Sequence, residues 1–317
     1  MTAVNELPKP RFRLGITGVL LVWVLVFAGL VAYLSGQEPP VIRAGVDLVR
    51  LDIVVTDKRG VIVSGLTADD FEVVENGKRQ TVSVFAGDGD EKSSDLHVGV
   101  LLDLSSSMAS LFPLLRDTTL EVLNRLPEAI DYTLVEVGND ARTSHFARAE
   151  FGALVERIRR LRRNESASTA LWDGLRSFLV EAADRPGRHV LIAFTDGSDT
   201  ASMATFEQVV RAVRGSGVTV FAVDFSGVRS STQGLRLRRI SDQTGGLTMF
   251  PYGRKQIDEV HRRIVSEVRS RYSLGYVSTN PAQDGRWREV KIRLVRPEHR
   301  DLDVRAKEGY YAAKSRS

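Results

Sequence analysis

The chain has 317 residues, 43% of them apolar and 26% charged, with a net charge of +4 and no cysteine. That is enough for one large or two ordinary domains of ordinary globular composition. It excludes disulfides, thiol catalysis and cysteine-bound zinc, and so mild a positive balance gives no argument for nucleic-acid binding.

Residues 1–13 end in the basic flank Lys9, Arg11 and Arg13, and residues 14–34 (LGITGVLLVWVLVFAGLVAYL) carry no charge. As a helix this segment spans roughly 30 Å, the thickness of a bilayer core. The basic flank predicts a cytoplasmic N-terminus, with the bulk of the chain on the far side. An uncleaved anchor is expected, because the exit around Ala32–Gly36 makes a poor cleavage site. A cleaved signal is the alternative and would give a secreted protein.

Residues 41–95 carry strand patterns. Val49, Leu51, Ile53 and Val55 alternate with Leu48, Arg50, Asp52 and Val54, which is a period-two strand. Val61–Val63 reads as a short return strand. Phe71–Glu75 and Gln80–Phe85 read as two strands joined by Asn76-Gly77, a strong hairpin signal. These are too few strands to close a β-sandwich, so others must come from elsewhere. Residues 87–95, GDGDEKSSD, read as a solvated linker that lacks the spacing of a calcium loop.

Residues 96–270 alternate strand and helix. The apolar run Val98–Leu102 is short enough for a strand buried on both faces. A helix ending before Pro127 follows, then strands over 132–137 and 141–147 that form an antiparallel edge. A basic amphipathic helix is expected over 151–163, and another helix from Leu171 to about Ala183. Buried strands at 189–194 and 218–223 are followed by helices near 206–214 and 235–242. A short strand at 247–250 and a helix over 257–269 close the series. This is the pattern of an α/β fold with a doubly wound, mostly parallel sheet.

In such sheets ligands bind beyond the carboxyl ends of the strands. Three stretches place oxygen-bearing side chains there: Asp103/Ser105/Ser107, Ser168/Thr169 and Asp196/Asp199. A carboxylate crowded by hydroxyls suits a hard divalent cation, Mg²⁺ or else Mn²⁺ or Ca²⁺. The competing reading is that such residues only cap the helices that follow.

The stretches Asp103-x-Ser105-x-Ser107, Thr169 ahead of Leu171-Trp-Asp, and Asp196 in Thr-Asp-Gly resemble the von Willebrand factor type A domain and its metal-ion-dependent adhesion site. The resemblance covers roughly residues 96–270. It implies direct ligation by Ser105, Ser107 and Thr169, with Asp103 and Asp196 acting largely through water. It further implies a protein partner whose Asp or Glu completes the coordination. Asp199 is a candidate for the outer shell. A purely structural scaffold with a stabilising metal is the alternative to this binding role.

Residues 271–312 return to strand patterns at 272–277, 288–295, 302–305 and 309–311. They are expected to pair with residues 41–95, setting the metal domain into a β-sandwich. Gly65-Leu-Thr67, Asp70-Phe71, Glu75, Gly77 and Gln80 before the domain also resemble a bacterial, membrane-anchored group of von Willebrand A-related proteins. So do Tyr272, Leu274-Gly-Tyr276, Arg305 and Gly309-Tyr-Tyr311 after it.

No enzyme is expected. The sequence has no Gly-x-Ser-x-Gly elbow, phosphate-binding loop or His-Glu-x-x-His motif. The five histidines are scattered outside paired ligand spacings, and His189 reads as structural. Asp103 as a phosphoryl-accepting nucleophile, in an Mg²⁺-dependent hydrolase, is the weaker alternative, since no lysine lies in either flanking loop. The arginines over 157–163 and 236–239 read as solvated helix faces.

Overall fold

The computed structural model describes residues 48–87, 95–162, 168–252 and 254–314. The apolar segment 14–34, its basic flank and most of the linker 87–95 lie outside these residues. Among the described residues no helix is long and apolar enough to cross a membrane.

In chain order, β1 (Leu48–Thr56), β2 (Phe71–Glu75), β3 (Lys78–Gln80) and β4 (Val82–Ala86) come first. The alternating series then runs β5 (Leu96–Asp103), α1 (Phe112–Arg125), β6 (Asp131–Val137), β7 (Ala141–Ala147), α2 (Phe151–Arg160) and α3 (Leu171–Ala183). It continues with β8 (Arg188–Thr195), α4 (Phe206–Ser216), β9 (Thr219–Asp224), α5 (Thr232–Gln243), β10 (Leu247–Met249) and α6 (Arg254–Arg269). Last come β11 (Tyr272–Val277), β12 (Trp287–Leu294), β13 (Asp303–Arg305) and β14 (Gly309–Tyr311).

The alternating series builds a six-stranded sheet in the order β10-β9-β8-β5-β6-β7. Every pairing is parallel except β6 with β7 at the edge. Every residue of β5 is buried. Val98, Val100 and Leu102 point into a core lined by Leu115 and Val122 of α1, Ile158 of α2 and Ile264 of α6. Leu101 points the other way, toward Leu175 of α3, Val213 of α4 and Leu237 of α5. The sheet is therefore wound on both faces, and the continuous apolar runs follow from burial on both sides. On the second face the ring of Phe178 presses on the backbone of β5. A methyl group at Gly99 would lie 2.3 Å from that ring, so only glycine fits.

The other strands form two antiparallel four-stranded sheets, β13-β1-β11-β4 and β14-β12-β2-β3. Each mixes strands from before and after the parallel sheet: β1 pairs with β11, and β2 with β12. Their inner faces share one core, with Val49, Leu51 and Ile53 of β1 against Phe71 and Val73 of β2 and Tyr272 and Leu274 of β11. One carboxylate sits inside it. Glu75 is 2% exposed and accepts from the hydroxyls of Tyr276 (2.8 Å), Tyr310 (2.8 Å) and Ser278 (2.6 Å).

Two details depart from the sequence reading. Gln80–Phe85 is not one strand. Asn76 adopts φ 46° and turns the chain into β3, which pairs with β2. The chain then changes sheets at Thr81, and β4 pairs with β11. The buried Gln80 amide anchors that change, donating to Lys78 O and Thr279 Oγ1, both at 3.1 Å. Val61–Val63 contributes a single bridge, Ile62 to Thr56, rather than a strand.

Candidate metal centre

Parallel pairing sets the ends of β5, β8 and β9 side by side. Leu102 lies opposite Phe194, and Thr195 opposite Asp224. Asp103, Thr195 and Asp224 therefore stand in a row at the carboxyl edge of the sheet, and each is fully buried.

Asp103 is held on both oxygens. The Ser105 N–H donates to Oδ1 at 3.0 Å, and the Thr195 hydroxyl donates to Oδ2 at 2.7 Å. Beyond it the chain bends into a single turn of 3₁₀ helix, Ser106–Met108. That bend brings the Ser105 and Ser107 hydroxyls to 3.0 Å from each other, the first buried and the second exposed. Asp196 is half-buried and accepts from Ser198 N at 2.9 Å. The following Gly197 adopts φ +78°, which an L side chain rarely adopts, and its N–H donates to Thr195 Oγ1 at 2.9 Å.

Thr169 is 1% exposed, and its loop is fastened to the loop after β8. Its N–H donates to Thr200 Oγ1 at 3.0 Å, and its carbonyl accepts from Thr200 N at 2.9 Å and Ala201 N at 3.0 Å. Asp199 takes part in the same fastening. Its Oδ1 accepts from Trp172 N at 3.1 Å, in the first turn of α3. Asp199 is thus tied to the start of α3 from a neighbouring loop rather than being a freely solvated loop acid. Asp173 answers from α3, accepting from Met203 N (2.9 Å) and Ala204 N (2.8 Å).

The electrostatics are one-sided. Burial pushes the Asp103 carboxyl above its usual range, against the hydrogen bonds from Ser105 and Thr195, and the charge of Asp196 adds to the push. Asp224 is also raised, by burial and again by Asp196. Asp224 Oδ1 accepts from Ser226 N at 2.8 Å, but its buried Oδ2 has no hydrogen-bond partner among the described residues. No basic side chain is among the main influences on either carboxyl. Three acids are thus gathered with burial and mutual repulsion against them. Such an arrangement is stabilised by a cation.

The donor set also fits one. In an octahedral site with oxygen ligands near 2.1 Å, adjacent ligands stand about 3.0 Å apart. That is the separation of the Ser105 and Ser107 hydroxyls. The structure thus gathers Asp103, Ser105, Ser107 and Asp196 at one edge and brings the Thr169 loop against the loop that carries Asp196.

Thr195 and Asp224 were not singled out from the sequence. Asp224 had a signal: its run, Val218–Val223, ends in a carboxylate as the β5 run does. His189 is structural, as expected. It is buried, stacks on His97 at 4.4 Å and places Nε2 3.1 Å from Arg185 O, and burial pushes its imidazole down. The basic helix faces are partly engaged. Arg157 pairs with Glu136 at 2.8 Å, while Arg236 and Arg239 lie over the ring of Phe206 at 5.4 and 5.5 Å.

No curated protein matches the chain. Among solved structures, a von Willebrand factor type A protein from Catenulispora acidiphila is 13% identical, covering 86% of this chain and 75% of that one at a TM-score of 0.46. The conserved hypothetical protein BatB from Bacteroides thetaiotaomicron is 12% identical, covering 54% and 98% at 0.42. The manganese-loaded TRAP protein of Plasmodium vivax is 12% identical, covering 68% and 95% at 0.40. The model of the von Willebrand factor type A domain matches residues 97–260, just over half of the 317 residues, and the chain belongs to that family.

Proposed function

We propose that this protein is a membrane-anchored, extracytoplasmic binding module that docks a protein partner through a divalent cation. Ser105, Ser107 and Thr169 would hold the ion directly, with Asp103 and Asp196 acting through water. The bound ion would supply a positive centre with an open position, which an Asp or Glu of the partner fills. The observation that carries the reading is the buried acid pair Asp103 and Asp224, raised by burial and by Asp196, beside two hydroxyls 3.0 Å apart. Mg²⁺ or Mn²⁺ suits this all-oxygen set.

In this reading residues 96–270 are the metal-binding domain, and 41–95 with 271–312 the sandwich that presents it. The interleaved pairings of β1 with β11 and β2 with β12 support that division. The uncharged segment 14–34 supports the anchor. No catalytic step is part of the proposal.

The test is calorimetric titration of Mg²⁺ and Mn²⁺ into the chain, beside Asp103→Ala. Saturable binding that the substitution abolishes supports the site, and a partner captured only with metal then supports docking. Partner binding that survives the substitution favours a scaffold whose ion only stabilises the fold. A folded wild-type chain that takes up no metal overturns the mechanism.

A further inference from the structure

A second set of ligating side chains lies between α1 and α6. Glu121 is on the third turn of α1, roughly 14 Å along the helix from its first residue. It is therefore on the far half of that helix from the loop of Asp103. Asp258 and His261 lie one turn apart on α6, on the same face. One ligand atom from each of the three residues falls within 4.8 Å of the other two.

His261 is the residue that needs explaining. It is 3% exposed, and neither ring nitrogen has a hydrogen-bond partner among the described residues. Nδ1 points at the cluster, 2.9 Å from Glu121 Oε2, but the pair is not aligned for a hydrogen bond. Buried polar atoms are almost always bonded, so a buried Nδ1 beside Glu121 without an aligned hydrogen bond asks for a ligand at that nitrogen. Burial pushes the imidazole down, toward the neutral form that carries a free lone pair. The carboxylates retain freedom to close on an ion, since Glu121 is half-buried and Asp258 exposed.

We propose that Glu121, Asp258 and His261 form a second divalent-metal site, for a transition metal of the zinc type, pinning α1 to α6. Nδ1 and Oε2 stand 2.9 Å apart, closer than the roughly 3.4 Å between adjacent ligands of a tetrahedral ion with bonds near 2.1 Å, so the half-buried Glu121 side chain must swing outward slightly to share one. A nitrogen donor beside two carboxylates favours Zn²⁺ over Mg²⁺, which takes oxygen. The second oxygen of Glu121 meets Arg125 at 2.5 Å, which leaves Oε2 for the ion. Arg125 and Arg262 also face the imidazole and oppose a cation. The site is therefore expected to bind moderately and to depend on all three ligands.

The test uses the full, tag-free chain carrying Asp103→Asn, so that the oxygen site at the sheet edge does not contribute. Zn²⁺ is titrated calorimetrically, and thermal unfolding is followed with and without it. The expected result is one Zn²⁺ site that excess Mg²⁺ does not displace, with a higher unfolding midpoint. Adding His261→Gln or Asp258→Asn weakens it at least ~10-fold, the lower end of what losing a supporting residue costs a metal site. Asp258 is exposed, so its substitution leaves the fold intact and keeps the test decisive. Zn²⁺ binding equal in the single and double variants, or no Zn²⁺ binding by the folded Asp103→Asn chain, overturns the proposal. Either result leaves the reading of the Asp103 site untouched.

Discussion

The Thr195 hydroxyl donates to Asp103 Oδ2 at 2.7 Å, from the end of the strand beside the one that carries the carboxylate. The same oxygen accepts from Gly197 N at 2.9 Å, so one hydroxyl orients both the acid and the turn that presents Asp196. Thr195→Val is expected to cost ~1–3 kcal/mol, because it leaves a buried amide without its acceptor. It should also weaken Mg²⁺ binding, whereas Thr195→Ser should restore both. Urea unfolding and metal titration of the two variants check this, and a valine variant as stable as wild type would contradict it.

Asp103 illustrates a conflict between stability and binding. Its carboxyl is raised in the folded chain, so folding favours the protonated form. Its contribution is fully present below the unfolded value and is lost as pH rises through the folded value. Above that range the metal-free chain holds a penalised charge. Asp103→Asn is therefore expected to unfold at a higher temperature than wild type in chelator at neutral pH. The difference should shrink as pH falls into the carboxylate range. Wild type should gain from Mg²⁺ and the variant should not. Unfolding midpoints over a pH series, with and without metal, check the sign.

Glu75 places a carboxyl group inside the sandwich, where it accepts from the hydroxyls of Tyr276, Tyr310 and Ser278. Tyr276 and Tyr310 both donate to Oε2, and both phenols are pushed up by burial and by these bonds, Tyr310 to about 12. Glu75→Ala would leave these hydroxyls buried without their acceptor, at ~1–3 kcal/mol each. Denaturant unfolding reads the loss. An ultraviolet titration should show the phenol nearest the usual range ionising earlier in the variant.

Glu267 joins the parallel sheet's last helix to the sandwich. It is fully buried, and its Oε1 accepts from Arg263 Nε at 2.7 Å and from Arg305 of β13. Arg305 also donates to Gly246 O at 2.9 Å. Glu267→Ala is expected to cost ~3–5 kcal/mol, since it strands two guanidinium groups around a lost partner. Replacing Arg305 with Met as well should recover part of that loss, and a double-mutant cycle measures how much.

The parts of this molecule that were legible in the sequence are those whose signal is local. The run Val98–Leu102 shows a strand buried on both faces, and Asp103, Ser105 and Ser107 share one loop. Thr195 was not legible as a partner of Asp103, because its role depends on which strand ends lie side by side. The division of residues 78–86 between two sheets was hidden for a similar reason, since a period of two looks the same in either sheet. His261 seemed isolated because one of its neighbours, Glu121, lies on a different helix far earlier in the chain. Asp199 read as an outer-shell candidate or a solvated loop acid, and its bond from Trp172 N was hidden because that amide lies on the preceding helix, 27 residues earlier.

The pairing of Ala86 with Ser273 has a mechanical consequence. The chain leaves the antiparallel sheet at the end of β4 and re-enters it at the start of β11, on neighbouring residues. A pull on the edge that carries Asp103 is therefore borne by two covalent connections side by side rather than by one in series. Each carries only part of the tension, and both hand it to adjacent strands that run antiparallel. Drawn the same way, the two strands do not slide past one another, and the load passes to the backbone hydrogen bonds between β11 and β1.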